Sequence, residues 1–74
     1  MKLEATVTHI VWADDSKPTD TVVDVDADYV AADYDSVYDY VRQELEAREE
    51  CAVHEMVIEN IDDIISDLES MEAS

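Results

Sequence analysis

Glycine and phenylalanine are missing altogether from this chain of 74 residues, which holds one proline, one cysteine, one tryptophan and only 4 lysines and arginines. Without glycine, tight two-residue hairpin turns that need positive backbone angles are costly, so strand connections are expected to be open loops. The same lack removes the residue from which an oxyanion loop is most easily made. The lone cysteine, Cys51, excludes an intramolecular disulfide and suits a reducing compartment, which places the chain in a cytoplasm. Met1-Lys2-Leu3-Glu4 shows no basic region followed by an apolar run, and no stretch approaches the length of a membrane span. A soluble protein without a membrane partner is expected. The few bases stand beside 21 acids, a formal charge of −17. Such a surface avoids nucleic acid and anionic lipid and seeks cationic patches on other macromolecules.

A charge that large raises the question of disorder first. Pattern answers it: Val, Ile and Leu exceed the roughly 20% below which disorder is favoured, and they recur with clear periods. The expected form is one domain, residues 1–74, folded under self-repulsion that added salt should screen. A domain of this size buries only about 60% of its unfolded surface. A homodimer or a partner-stabilised monomer is one way to support so thin a core.

Leu3 to Ala13 alternate as a strand, with Leu3, Ala5, Val7 and Val11 on one face and Glu4, Thr6, Thr8, Ile10 and Trp12 on the other. Asp14-Asp15-Ser16-Lys17-Pro18-Thr19-Asp20 is the connecting loop. From Thr21 a second strand, antiparallel to the first, turns Val23, Val25 and Ala27 inward and Asp24, Asp26 and Asp28 outward. Ser36, followed three residues on by Asp39, marks a helix start, and the helix runs to about Glu50. It buries Val37, Val41 and Leu45, flanked by Tyr34 and Tyr38, and exposes Asp35, Asp39, Glu46 and Glu50. Acids at its carboxyl end, Glu49-Glu50, oppose the helix dipole. Cys51 to Ile58 is open between a third strand and more helix, and the short, apolar, β-branched run Val53 to Ile58 favours the strand. Ile61, Ile64, Ile65, Leu68 and Met71 then recur at helical spacing, with Asn60 or Asp62 able to cap that final helix. The expected fold is α+β, β-β-α-β-α, with a three-stranded antiparallel sheet and two helices.

No constellation here carries catalysis or a cofactor. Asp24, Asp26 and Asp28 have the spacing that opens a calcium loop, but its sixth position is Tyr29 rather than glycine, and its twelfth is Asp35 rather than glutamate. His9, Cys51 and His54 lack the paired spacing of a zinc site, and Cys51 and His54, three apart, fall on opposite faces of a strand. With so many acids, close carboxylate pairs are guaranteed, and a catalytic pair needs a pocket that perturbs it. Neither a catalytic residue nor a metal site is therefore assigned. The tyrosines are more informative: Tyr29, Tyr34 and Tyr40 stand beside acids near the helix start, where tyrosine serves interfaces well.

The candidate partner-binding residues are thus Asp24, Asp26, Asp28, Asp33, Asp35, Asp39, Glu46 and Glu50, with Tyr29 and Tyr40. Outward residues two apart on a strand lie about 6.6 Å from each other, a plausible interval for charges along a nucleic-acid backbone. On Asp24, Asp26, Asp28 and the outer helix acids, as well as in its size and element order, the chain resembles the small acidic inhibitors encoded by phages. Among these are anti-CRISPR proteins that act as DNA mimics and, more loosely, the uracil-DNA glycosylase inhibitor. The resemblance implies a non-enzymatic inhibitor that blocks DNA binding by a bacterial defence complex of the Cascade type; its partner is a cationic nucleic-acid-binding protein. Adaptation to molar salt is the alternative, since acid excess with few lysines and arginines, Asp over Glu, and abundant Val and Thr also mark proteins of halophiles. A third reading is an antitoxin-like or adaptor domain whose final helix docks in a partner groove.

Overall fold

A computed structural model describes residues 2–14 and 16–73. Met1, and Asp15 of the expected loop, lie outside the described residues. Strand β1 is Lys2–Trp12, β2 is Thr21–Asp26 and β3 is Val53–Ile58; helix α1 is Tyr34–Glu49 and α2 is Ile61–Ala73. The sheet order is β2-β1-β3, antiparallel throughout. The order β-β-α-β-α and the α+β class are those read from the pattern.

Both helices pack on one face of the sheet. Leu3, Ala5, Val7, Ile10, Trp12, Val23, Val25, Val53, Met56 and Ile58 come from the strands and Val37, Val41, Leu45, Ile64 and Leu68 from the helices; together they form one buried cluster. Each fully buried aliphatic side chain contributes about 1.5–3 kcal/mol. The other sheet face carries no helix and is open to solvent.

The alternation expected for β1 fails at His9. Thr8 pairs with Val57 and Val11 with Glu55, so His9 and Ile10 together oppose Met56 alone, which is a β-bulge. His9 takes the left-handed conformation at φ 52°. The extra residue reverses the facing of all that follows, so Ile10 and Trp12 are buried and Val11 is exposed, opposite to the expected assignment. The physical reason is size: the bulge places the two largest side chains of the segment in the core and gives up one valine. Trp12 Nε1 then donates to the Pro18 carbonyl at 2.6 Å, which fastens the loop, and the Ile10 N–H donates to the Thr19 carbonyl at 3.0 Å. A second irregularity follows on β3, where His54 is the extra residue between Glu55 and Val53, and His54 and Glu55 are both exposed.

Three expected boundaries also move. Strand β2 stops at Asp26, whose carboxylate accepts the Asp28 N–H at 3.0 Å and opens a 3-10 turn at Ala27–Tyr29; Asp28 is on that turn, not on the strand. Asp33, not Ser36, caps α1, accepting the Ser36 N–H at 2.8 Å and the Ser36 hydroxyl at 3.1 Å. At the other end Glu50 is the cap rather than a helical residue, in the left-handed conformation. Asn60 precedes α2, and its carbonyl accepts from Ile64 N, but its side chain does not cap. The amide instead bridges to β1, accepting the Thr6 N–H at 2.9 Å and donating to the Glu4 carbonyl at 2.7 Å, as a neighbouring strand would.

Candidate partner-binding surface

The connection from β2 to α1 is built by two aspartate caps. Asp26 turns the chain out of the sheet and Asp33 turns it into α1. Between and beyond them Asp28, Asp35 and Asp39 are exposed, and their carboxylates hold no hydrogen bond or ion pair among the described residues. Tyr29 is 77% exposed and Tyr34 54% exposed. Tyr34 stacks on Tyr38, with ring centroids 6.0 Å apart and planes 17° apart, and Tyr38 and Tyr40 lie half-buried against the core. The result is a packed set of Tyr34, Tyr38 and Tyr40, with Tyr29 exposed beside it, among free carboxylates.

The few bases are gathered elsewhere. Lys17 lies 3.8 Å from Glu49, Arg42 lies 3.7 Å from Glu46, and Arg48 donates to the Thr21 hydroxyl and the Val22 carbonyl, each at 3.3 Å. Their partners lie on the carboxyl-terminal half of α1 and the start of β2. Between Lys17 and Arg42 the chain has seven aspartates and no lysine or arginine. From another element, Lys2 lies opposite Asp26 in the β1–β2 register.

The expected row of acids along α1 is therefore shortened. Asp35 and Asp39 stand free, but Arg42 falls in the same outer row one turn later and pairs with Glu46. Glu46 also accepts the Val53 N–H at 2.9 Å, anchoring the start of β3. Its carboxylate is thus engaged within the fold, unlike those of Asp35 and Asp39. Glu50 is exposed at the far end of the helix, a full helix length from Asp35. Nor does the row continue the β2 stripe. Asp24 points from the open sheet face, whereas the outer side of α1 faces away on the opposite layer. Of the ten expected residues Asp26, Asp28, Tyr29, Asp33, Asp35 and Asp39 follow one another along the connection into α1, with Tyr40 at the margin; Asp24 adjoins Asp26 on the open sheet face, and Glu46 and Glu50 lie toward the other end of α1.

No protein-family profile, curated protein or solved structure matches the chain.

Tyr34 belongs to this surface although the helical pattern points it toward the core; the base-free run from Pro18 to Val41 is the signal that marks the surface from sequence. Among the described residues no three His, Cys, Asp or Glu side chains are grouped to hold a metal ion, and Cys51 is a half-buried free thiol. None of the described helices is long and apolar enough to cross a membrane. The Cα trace measures 43 × 19 × 17 Å. A net charge of −17 along 43 Å is one charge per about 2.5 Å. The corresponding interval is about 1.7 Å for duplex DNA and about 3.4 Å for each of its strands. At such intervals neighbouring unit charges in water interact by more than the thermal energy, which they reach near 7 Å.

Proposed function

We propose that this domain is a non-enzymatic anionic competitor that occupies a cationic nucleic-acid-binding surface of another protein. The observation that carries the reading is the linear charge density, which lies between that of one strand and that of both strands of a DNA duplex, on a body 43 Å long and 19 × 17 Å across. A folded anion of that density attracts a cationic cleft and gains from the release of its counterions. The tyrosines at the acid-rich end add what a phosphate backbone lacks, rigid amphipathic side chains suited to a protein contact. The target class implied by the resemblance is a DNA-binding bacterial defence complex. That reading sets the protein in a cytoplasm, where its free thiol also fits.

Displacement of labelled target DNA from a Cascade-type complex tests it. The protein should release the DNA at low salt, and its efficacy should fall steeply as salt rises. Asp28→Lys, Asp35→Lys and Asp39→Lys together should abolish release without touching the Asp26 and Asp33 caps. Absence of release at low salt with the competitor in large excess refutes the reading for that target.

A second reading has its own observation. Acids also cover the open sheet face, with Glu4, Asp24, Glu55 and Glu59, and the outer side of α2, with Asp62, Asp63, Asp67 and Glu69. Charge on every face is what adaptation to molar salt requires. Under that reading the domain unfolds in dilute buffer and folds in molar salt, whereas a competitor for DNA is folded in both.

A further inference from the structure

The open face of the sheet is a surface that the acid-rich end leaves unexplained. Its centre is β-branched: Val22 on β2 lies across from Thr6, Thr8 lies across from Val57 on β3, and Val11 follows beyond the bulge. The three valines are 48%, 45% and 47% exposed in the order Val22, Val57, Val11. Reversal of β1 at His9 is what turns Val11 out to join them. Around this centre stand Glu4, Asp24, Glu55 and Glu59, with Lys2 the one lysine or arginine of the three strands, Asp26 opposite it, and His9 Nδ1 3.1 Å from Thr8 Oγ1. Thr8 Oγ1 donates to Glu59 at 2.9 Å and holds that carboxylate against the apolar row.

We propose that this face docks an amphipathic helix of a partner protein, apolar along one stripe and lysine- or arginine-rich on both flanks. Dimensions support a helix. Three strands place the outer pair about 9.6 Å apart, close to the 10–12 Å diameter of one helix. From Thr6 to Val11 the apolar centre runs about 17 Å, the length of roughly eleven helical residues. A helix there supplies the third layer that a sheet covered on one side lacks. The sign of its flanks follows from the rim. A second copy of this chain is disfavoured as occupant, because it sets Glu4, Asp24, Glu55 and Glu59 against their like under two charges of −17. The inference deepens the proposed function, and it rests on that reading only for the cationic character of the partner.

The test uses a synthetic peptide of about four helical turns, leucine on one stripe and lysine on both flanks, a length at which an isolated helix becomes marginally stable. Titrated into the labelled protein, it should shift the amide resonances of Thr6, Thr8, Val11, Val22 and Val57. Val22→Thr with Val57→Thr keeps the strand propensity and should loosen binding roughly tenfold, by removal of two buried methyl groups. Val22→Glu with Val57→Glu should loosen it as well, although each added charge attracts the peptide. Shifts confined to the acids of α1 and α2 overturn the proposal, and so does tighter binding by the glutamate variant. Sedimentation of the free protein as a dimer that the same substitutions dissociate gives the face to a second copy and also overturns it. No nucleic acid enters this assay, so its failure leaves the DNA-displacement result to stand or fall separately.

Discussion

Replacement of Glu50 by glycine should stabilise the domain by about 1 kcal/mol. In a chain without glycine, the helix-ending residue that is most often glycine is here a glutamate, held at φ 52° and ψ 42°. Its N–H donates to the Glu46 carbonyl, and the Cys51 N–H reaches the same oxygen at 3.3 Å, so the left-handed turn is fixed by the carbonyl it satisfies. A residue with a Cβ pays about 1–2 kcal/mol for that conformation. Glycine removes the term but loses about 0.4–1 kcal/mol through the freedom it adds to the unfolded chain. Removing an acid from the negative end of the α1 dipole returns a few tenths of a kcal/mol, more at low ionic strength. The sum is a rise in Tm of about 4–8 °C for a domain of this size.

Thermal melts of Glu50→Gly and Glu50→Ala in dilute and in concentrated salt separate the two causes. Alanine removes the charge and keeps the Cβ, so it should recover only the electrostatic part, and that part should fade as salt is added. The glycine advantage over alanine should persist in salt. Equal melting of the two variants refutes the backbone argument and leaves charge alone to explain any gain.

Asn60→Ala, which deletes both bonds to β1, should cost about 1–3 kcal/mol in urea unfolding. Asn60→Asp should also destabilise, because it sets a carboxylate against the Glu4 carbonyl that Asn60 Nδ2 now meets at 2.7 Å. Glu46→Ala should cost about 1–2 kcal/mol by leaving the Val53 N–H without its acceptor, whereas Glu46→Gln, which keeps an acceptor, should cost much less by the same measurement. The Ser16 N–H and hydroxyl, with Lys17 nearby, hold the Asp14 carboxyl below its ordinary value of 3.8. A depressed folded value means that this turn stabilises the fold above the unfolded pKa and loses its contribution as pH falls through the folded one. In an NMR titration Ser16→Ala, which removes the hydroxyl but keeps the N–H, should move the Asp14 midpoint part of the way back up toward 3.8; an unmoved midpoint excludes the Ser16 hydroxyl as a cause.

Regular elements were legible where hydrophobic period alone decides. The start of α2 at Ile61 and the buried row Val37, Val41, Leu45 match the pattern residue for residue, while Val53–Ile58, open to either strand or helix by period, is the strand that its β-branched content favoured. What period could not show is where it slips. On either side of His9 the alternation is intact, and only the pairing with β3 reveals that one residue of β1 has no opposite number. The hint was that Ile10 and Trp12, large and apolar, share a parity that an unbroken strand exposes. The acids misled for a different reason. A helical wheel counts carboxylates without asking what they bond, and Asp26, Asp33 and Glu46 each bind a backbone N–H that sequence spacing leaves without a partner. For Asp33 the local rule, an acid three residues before Ser36, was readable; for Glu46 the Val53 N–H became a partner only once β3 had folded against the helix.

Charge and stability are then one problem. The core of fifteen side chains must hold against the mutual repulsion of a −17 chain, and among the described residues no acid relieves that repulsion by being buried. Cations supplied from outside relieve it, whether as salt or as the basic surface of a partner, and whatever binds the folded state alone raises its stability by mass action. The two sources differ in form. Screening by salt grows smoothly with ionic strength and ignores which carboxylates are present, so neutralising any three exposed acids should raise the low-salt Tm to a similar extent. A partner saturates at its binding stoichiometry and distinguishes positions. With Asp28, Asp35 and Asp39 replaced by asparagine, the Tm gained from a cationic DNA-binding protein should shrink, while the same change at Asp62, Asp63 and Asp67 on α2 should leave that gain intact. Equal losses from the two sets mean that the partner reads net charge alone, and the tyrosine-bearing end then has no claim to be the site.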